Sequence, residues 1–328
     1  MAPDADAGKS TKRADPFAPL TSELMPVSDG HEIYVESVGR ADGIPAVYLH
    51  GGPGSGCQAD HRRLFDPERF HAILFDQRGA GRSRPKSRRE DNTLAHLIAD
   101  MEMIREKFAL ERWVLVGGSW GATLALAYAQ VHPHRVTGMV LRATFLGTRE
   151  EIENGFLSSL PRFHPGLSED FLSLLTAEER LQPIEAYFRR ILDADPAVHG
   201  PAARSWGETE RILSEHAPNR LRLDLASLNS SRALPATPFM EAHYFANGCF
   251  MRPNQLMAEA ERLAGIPGII VQGRYDLLCP PATSHALAAV WRDAEIRVVE
   301  GAGHSLYDPG VRNAVMKAVA DLASRITR

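Results

Sequence analysis

From Ser28 onward, short β-rich runs alternate with longer segments of helical periodicity. His31–Val38 alternates polar and apolar positions and predicts a half-buried strand. Ala46–Leu49, Ala72–Phe75, Trp113–Val116 and Gly138–Leu141 are short apolar runs of the kind found in buried strands of a parallel sheet. Between them, Thr93–Phe108 places Leu94, Leu97, Ile98, Met101 and Ile104 on one helical face, and Ala122–Gln130 predicts a second helix that stops near Pro133. Strand-helix alternation of this type implies an α/β sheet covered by helices on both faces.

The rhythm breaks after Phe145. From 145 to 254 the pattern is mostly helical and punctuated by prolines. Strands return at Gly268–Gln272 and Ile296–Glu300, and Val311–Ile326 predicts a closing helix. The expected organisation is therefore a tail and lead-in over 1–26, an α/β core over 27–144, an inserted helical cap over 145–254, and the rest of the core over 255–328. Met1–Leu20 is rich in Ala, Asp, Lys and Pro and has no apolar stretch. It predicts a mobile tail and no secretory leader.

The 328 residues carry 37 basic and 41 acidic side chains, a formal charge of −4, with 44% hydrophobic and 24% charged positions. That balance argues against nucleic acid or an anionic membrane as a partner bound through bulk charge. No window reaches the roughly 18–20 unbroken apolar residues of a membrane span. Cys57, Cys249 and Cys279 are too scattered for a disulfide framework or a structural zinc site, so a cytoplasmic, reducing location is expected.

The strongest chemical signal is Gly117-Gly118-Ser119-Trp120-Gly121, a G-x-S-x-G between a strand and a helix. A sharp strand-to-helix turn needs small flanking residues, and it presents the serine hydroxyl at the helix N-terminus, where a developing anion is favoured. Serine needs a base, and the base an orienting acid. His304 follows a strand in the loop Gly301-Ala-Gly-His-Ser305, whereas His61, His71, His132 and His134 lack that context. Asp276 follows the strand Gly268–Gln272 and falls between serine and histidine in chain order. Asp308 lies close to His304 in sequence, and Asp293 sits in an exposed turn. His50-Gly-Gly-Pro-Gly54 follows another strand. The N–H groups of Gly52 and Trp120 would form an oxyanion hole, each donor being worth about 3 kcal/mol of barrier.

These residues resemble the proline iminopeptidase family, serine peptidases with the α/β-hydrolase fold. The likeness rests on His50–Gly54, Asp76-Gln-Arg-Gly-Ala-Gly-Arg-Ser83, Gly117–Gly121, Gly273-Arg-Tyr-Asp276 with Cys279-Pro280, and Gly301–Ser305. It implies an exopeptidase that needs no metal or organic cofactor and acts on small peptides with a free N-terminus. By the same resemblance Glu210, in Trp206-Gly-Glu-Thr-Glu210, and Glu241, opening Glu241-Ala-His-Tyr-Phe245, would hold the substrate's ammonium. Phe145, Phe245 and Cys279 would line an apolar pocket for the proline ring. Three stretches depart from the family. Thr209 replaces a tryptophan, Arg142-Ala143-Thr144 replaces an Arg-Gly run, and Thr148–Asn154 replaces an aromatic-rich segment. All three lie in or near the cap. An esterase or amidase on the same core is the alternative reading, and oligomeric state is left open.

Overall fold

The computed structural model describes residues 15–327. Within it, eight strands form one sheet in the order β1-β2-β4-β3-β5-β6-β7-β8. These are β1 (Thr21–Pro26), β2 (Glu32–Gly39), β3 (Ile44–Leu49), β4 (Phe70–Phe75), β5 (Trp113–Ser119), β6 (Val136–Thr144), β7 (Gly268–Gly273) and β8 (Ala294–Val299). β2 runs antiparallel to both β1 and β4, and the remaining pairings are parallel. Every residue of β4 and β7 is buried, which explains why both read as unbroken apolar runs rather than alternating ones.

Helices α1 (Leu94–Lys107) and α2 (Trp120–Val131) follow β4 and β5, while α7 (Pro281–Val290) and α8 (Val311–Ile326) follow β7 and β8. Two hydrophobic clusters result. One holds α1, α2 and the helical insertion, and the other places Val315, Val319 and Leu322 of α8 against Val114, Val140 and Ile269. Between β6 and β7 the chain forms α3 (Pro165–Ser173), α4 (Pro183–Ile191), α5 (Pro196–Ser214) and α6 (Thr237–Ala246), with shorter helical turns between them. Their shared core is aromatic. Phe156 stacks on Trp206 at 4.0 Å and Phe171 on Tyr187 at 4.1 Å between ring centroids.

The structure corrects the sequence reading at the N-terminus. Thr21–Pro26 is the edge strand β1, not an unstructured lead-in, and the Leu20 N–H already donates to the Ser37 carbonyl at 2.8 Å. The strand escaped notice because only Met25 is buried in it and it ends on proline, both habits of an edge strand. Of the mobile tail expected over Met1–Leu20, residues 1–14 lie outside the described residues. β6 is also longer than its apolar centre suggested, running through Arg142 to Thr144. No helix among the described residues is long and apolar enough to cross a membrane.

Candidate active site

All the loops of chemical interest leave the carboxyl ends of parallel strands, the edge at which open α/β sheets place their ligand sites. β5 ends on Ser119, which takes φ 57° and ψ −125° before α2 begins at Trp120. A left-handed φ on a non-glycine residue is strained, and here the crowding around the turn enforces it. A Cβ at Gly117 would lie 2.4 Å from the Gly121 carbonyl oxygen, and one at Gly121 only 2.0 Å from that of Leu49. Glycine at both positions is therefore a steric requirement. The same approach brings the loop after β3 against the turn, since a Cβ at Gly51 would sit 3.6 Å from the Ser119 Cβ. Gly52 adopts φ 103°. Trp120 is the first residue of α2, so its N–H lacks an acceptor within the helix.

That loop is locked from below by a side chain the sequence reading did not single out. The Gln77 backbone N–H donates to His50 Nε2 at 3.0 Å, and its side-chain amide donates to the His50 carbonyl at 3.0 Å. Its amide oxygen accepts from Trp120 Nε1 at 2.9 Å. Because Nε2 of His50 accepts, its Nδ1 carries the proton and donates to the Gly51 carbonyl at 2.9 Å. Burial lowers the His50 pKa, which keeps the ring neutral in this role. Gln77 belongs to the Asp76–Ser83 run, so the sequence did contain its signal. What it lacked was the fold that puts Gln77 between His50 and Trp120.

Asp276 and His304 leave the ends of β7 and β8. His304 Nδ1 donates to Asp276 Oδ2 at 2.9 Å, with Oδ1 at 3.1 Å, and both side chains are buried. Asp276 Oδ1 also accepts the N–H groups of Leu278 (3.0 Å) and Cys279 (2.8 Å), fixing the carboxylate. Nδ1 is thereby committed as a donor, leaving Nε2 as the basic nitrogen. The histidine loop is held from three sides. Arg142 donates to the His304 carbonyl, and the Ser305 N–H donates to the Ser214 carbonyl at 2.8 Å. Asp308 accepts from the N–H of Gly303 at 2.6 Å and from that of His216 at 3.1 Å. Asp308 thus ties the end of the helical insertion to the loop and does not pair with the ring. His61 borders a cavity together with Ser119 and His304, but its Nδ1 accepts the Gln58 N–H at 3.0 Å, and burial holds its pKa down to about 4.

Two hollows meet at Ser119. One is a cavity of about 860 Å³ reached by Gly52, Ser119, Glu210, Glu241 and His304. The other is a small recess lined by Phe145, Phe245, Phe156, Gly155 and Cys279. Ser119, Gly52, Glu210 and Leu278 border both. The rings of Phe145 and Phe245 meet edge to face at 5.6 Å. Gly155 and Phe156 belong to a π-helical turn (Asn154–Ser159), a local widening frequent at functional sites. Glu151 also borders the recess, but its carboxylate is already occupied by the N–H groups of Leu146 and Thr148 and the Thr148 hydroxyl. Burial pushes its carboxyl up. The Cys279 thiol is buried and likewise pushed well above the ordinary thiol range by desolvation.

Glu210 lies on α5 and Glu241 on α6, and the packing of those helices brings the two carboxyl groups together. Glu241 is fully buried and accepts from Trp206 Nε1 at 2.8 Å through Oε2. Its Oε1 accepts from no N–H or hydroxyl group of the protein, and the Glu210 carboxyl lies within hydrogen-bonding reach of Glu241. Desolvation raises both carboxyls, and in Glu241 the charge of Glu210 adds to the effect. Neither glutamate makes a salt bridge to a cationic side chain among the described residues. A buried pair of this kind is suited to an external cation with several N–H donors.

Over residues 45–311 the chain matches the alpha/beta hydrolase fold family. It is 41% identical over 295 residues to a proline iminopeptidase of Xylella fastidiosa, covering 89% of this chain and 93% of that one. It is 39% identical to a proline iminopeptidase of Arabidopsis thaliana, covering 93% and 82%. Among solved structures, a proline iminopeptidase-related protein of Thermus thermophilus superposes with a TM-score of 0.61 at 22% identity, covering 93% of this chain and 98% of that one. An esterase of Exiguobacterium antarcticum gives 0.62 at 17% identity, covering 94% and 100%. At those identities the solved structures speak to the fold alone.

Proposed function

Since this chain belongs to the proline iminopeptidase family of α/β hydrolases, we propose that it is a serine exopeptidase that releases N-terminal proline from short peptides through an acyl-enzyme. The observation that carries this reading is the unpartnered Glu241 oxygen beside Glu210, in a cavity shared with Ser119. A serine hydrolase that acts on esters has no use for a half-buried and a fully buried carboxyl paired next to its nucleophile. An exopeptidase does, because a free ammonium distinguishes an N-terminus from an internal residue. At about 4 Å and an effective dielectric near 20, each carboxylate–ammonium pair is worth up to about 4 kcal/mol before desolvation is subtracted.

In this mechanism Glu210 and Glu241 hold the amine, while Phe145, Phe245 and Cys279 enclose the pyrrolidine ring. Ser119 Oγ attacks the carbonyl carbon as its proton passes to His304 Nε2. The oxyanion is met by the N–H groups of Gly52 and Trp120. Collapse breaks the C–N bond, and the leaving amine takes the proton from His304. A water then adds to the prolyl ester, gives its proton to His304, and the returning proton restores Ser119 as proline departs. Asp276 orients the ring and stabilises the imidazolium. The substrates are small peptides with a free N-terminus, and the three cysteines, all free and buried, suit a cytoplasmic setting.

Steady-state hydrolysis of proline arylamide, its N-acetylated form and alanine arylamide tests the reading. Rapid turnover of the free proline compound, with the acetylated one inert, is expected. Cleavage of the acetylated compound, or of simple esters without proline turnover, would sink it in favour of an esterase or amidase.

A further inference from the structure

The two hollows that meet at Ser119 divide a bound substrate into halves. Phe145 and Phe245 border only the recess, so the acyl residue belongs there, whereas the cavity of about 860 Å³ opens on Ser119 and His304 without those rings. The leaving peptide must occupy that cavity, whose size falls within the roughly 300–1,000 Å³ typical of ligand sites. Its lining includes guanidinium groups of the helical insertion. Two of them are already neutralised. Arg211 pairs with Glu208 and Glu215, and Arg222 with Asp170 at 2.6 Å.

Arg204, Arg220 and Arg232 also border this cavity, and none has a carboxylate partner among the described residues. Arg204 donates only to the backbone carbonyls of Gly200 and Arg232. One carboxylate of the same lining, Asp224, is similarly free of salt bridges, so the balance remains positive. The cavity is thus negative where Glu210 and Glu241 lie, and Arg204, Arg220 and Arg232 add uncompensated positive charge elsewhere in its lining. A short peptide zwitterion has the same polarity.

We infer that Arg204, Arg220 and Arg232 form a subsite for a carboxylate on the leaving-group side of the substrate, making the enzyme selective for very short peptides. This rests on the aminopeptidase reading above. With about 3.3–3.6 Å of reach per extended residue, each added residue carries the C-terminal carboxylate further from Ser119, so the preference should fall as the peptide lengthens. Because Arg204 is half-buried and Arg220 and Arg232 are exposed, each contact contributes little, and together they give a preference of roughly three- to tenfold that weakens as salt screens it.

The test compares kcat/KM of the wild-type enzyme for Pro-Gly-Gly, its C-terminal amide, and the amide of Pro-Glu-Gly, with proline arylamide as reference. A free-acid to amide ratio of threefold or more, shrinking at high salt, supports the subsite, and a smaller ratio overturns it. If Pro-Glu-Gly amide equals the free acid, the subsite reads a carboxylate from a side chain as well as from the terminus. In Arg220→Gln/Arg232→Gln the ratio should fall toward one. Because the ratio is taken within one enzyme, a general loss of activity does not disturb it, and an unchanged ratio removes these residues from the subsite. Absence of proline arylamide hydrolysis defeats the aminopeptidase reading itself. Arylamide turnover with no free-acid preference defeats only the subsite.

Discussion

Trp206 Nε1 donates to Glu241 Oε2 at 2.8 Å, and the other oxygen of that buried carboxylate faces no protein donor. Trp206 is itself fixed by stacking on Phe156 and by contacts with Phe171, Tyr187 and Phe188, so the indole aims one half of the carboxylate and leaves the other half for a ligand. In Glu241→Gln the amide oxygen can still accept from Trp206, but the charge is gone. KM for proline arylamide should rise by roughly one to two orders of magnitude. Relief of the buried repulsion should raise Tm by about 2 °C or more. Activity assays and thermal unfolding of the two proteins check this, and a variant both less stable and fully active contradicts it.

The same pair sets a pH dependence. Both carboxyls are raised in the folded protein by desolvation, and Glu241 further by Glu210, so the fold binds their protons more tightly than the unfolded chain does. Their contribution to stability is therefore fully present below the unfolded pKa of about 4.3 and is lost as pH rises through the folded values. Substrate capture runs the opposite way, because only ionised carboxylates attract the ammonium. On raising pH above the ordinary glutamate range, kcat/KM for proline arylamide should climb while this pair's contribution to Tm declines. Comparing wild type with Glu241→Gln isolates that contribution from other titrating groups.

Asp276→Asn tests the orientation of the base. Asparagine can keep the hydrogen bond but can offer its N–H₂ to Nδ1, which would place the ring proton on Nε2, where the mechanism needs a lone pair. A fall in kcat of about 10⁴-fold with little change in KM is expected. A loss below tenfold would mean that Asp276 does not set the orientation and tautomer of His304.

Cys279 borders the recess yet carries a thiol that burial holds protonated. Since the thiolate is the nucleophile, iodoacetamide at neutral pH should leave activity intact over hours. Prior occupation by proline should make no difference. Rapid inactivation that proline prevents would contradict this environment for Cys279.

Features that depend on contiguous residues could be read directly from the amino-acid order. The apolar runs of β3 to β7 were legible because a strand buried on both faces has no polar alternation to disguise it. The turn at Ser119 was legible because its steric demands fall on Gly117 and Gly121 within the same five residues. β1 was not, since an edge strand buries too little to leave a pattern.

Tertiary structure decided what joins residues far apart in the chain. Asp308 turned out to brace Gly303 against His216, and Gln77 to bind His50 and Trp120 together. The approach of Glu210 to Glu241 depends on how α5 and α6 pack, which no spacing within either helix encodes. Local sterics are written in neighbouring letters. Long-range hydrogen bonds and the mutual burial of charges exist only once the core has brought their partners together.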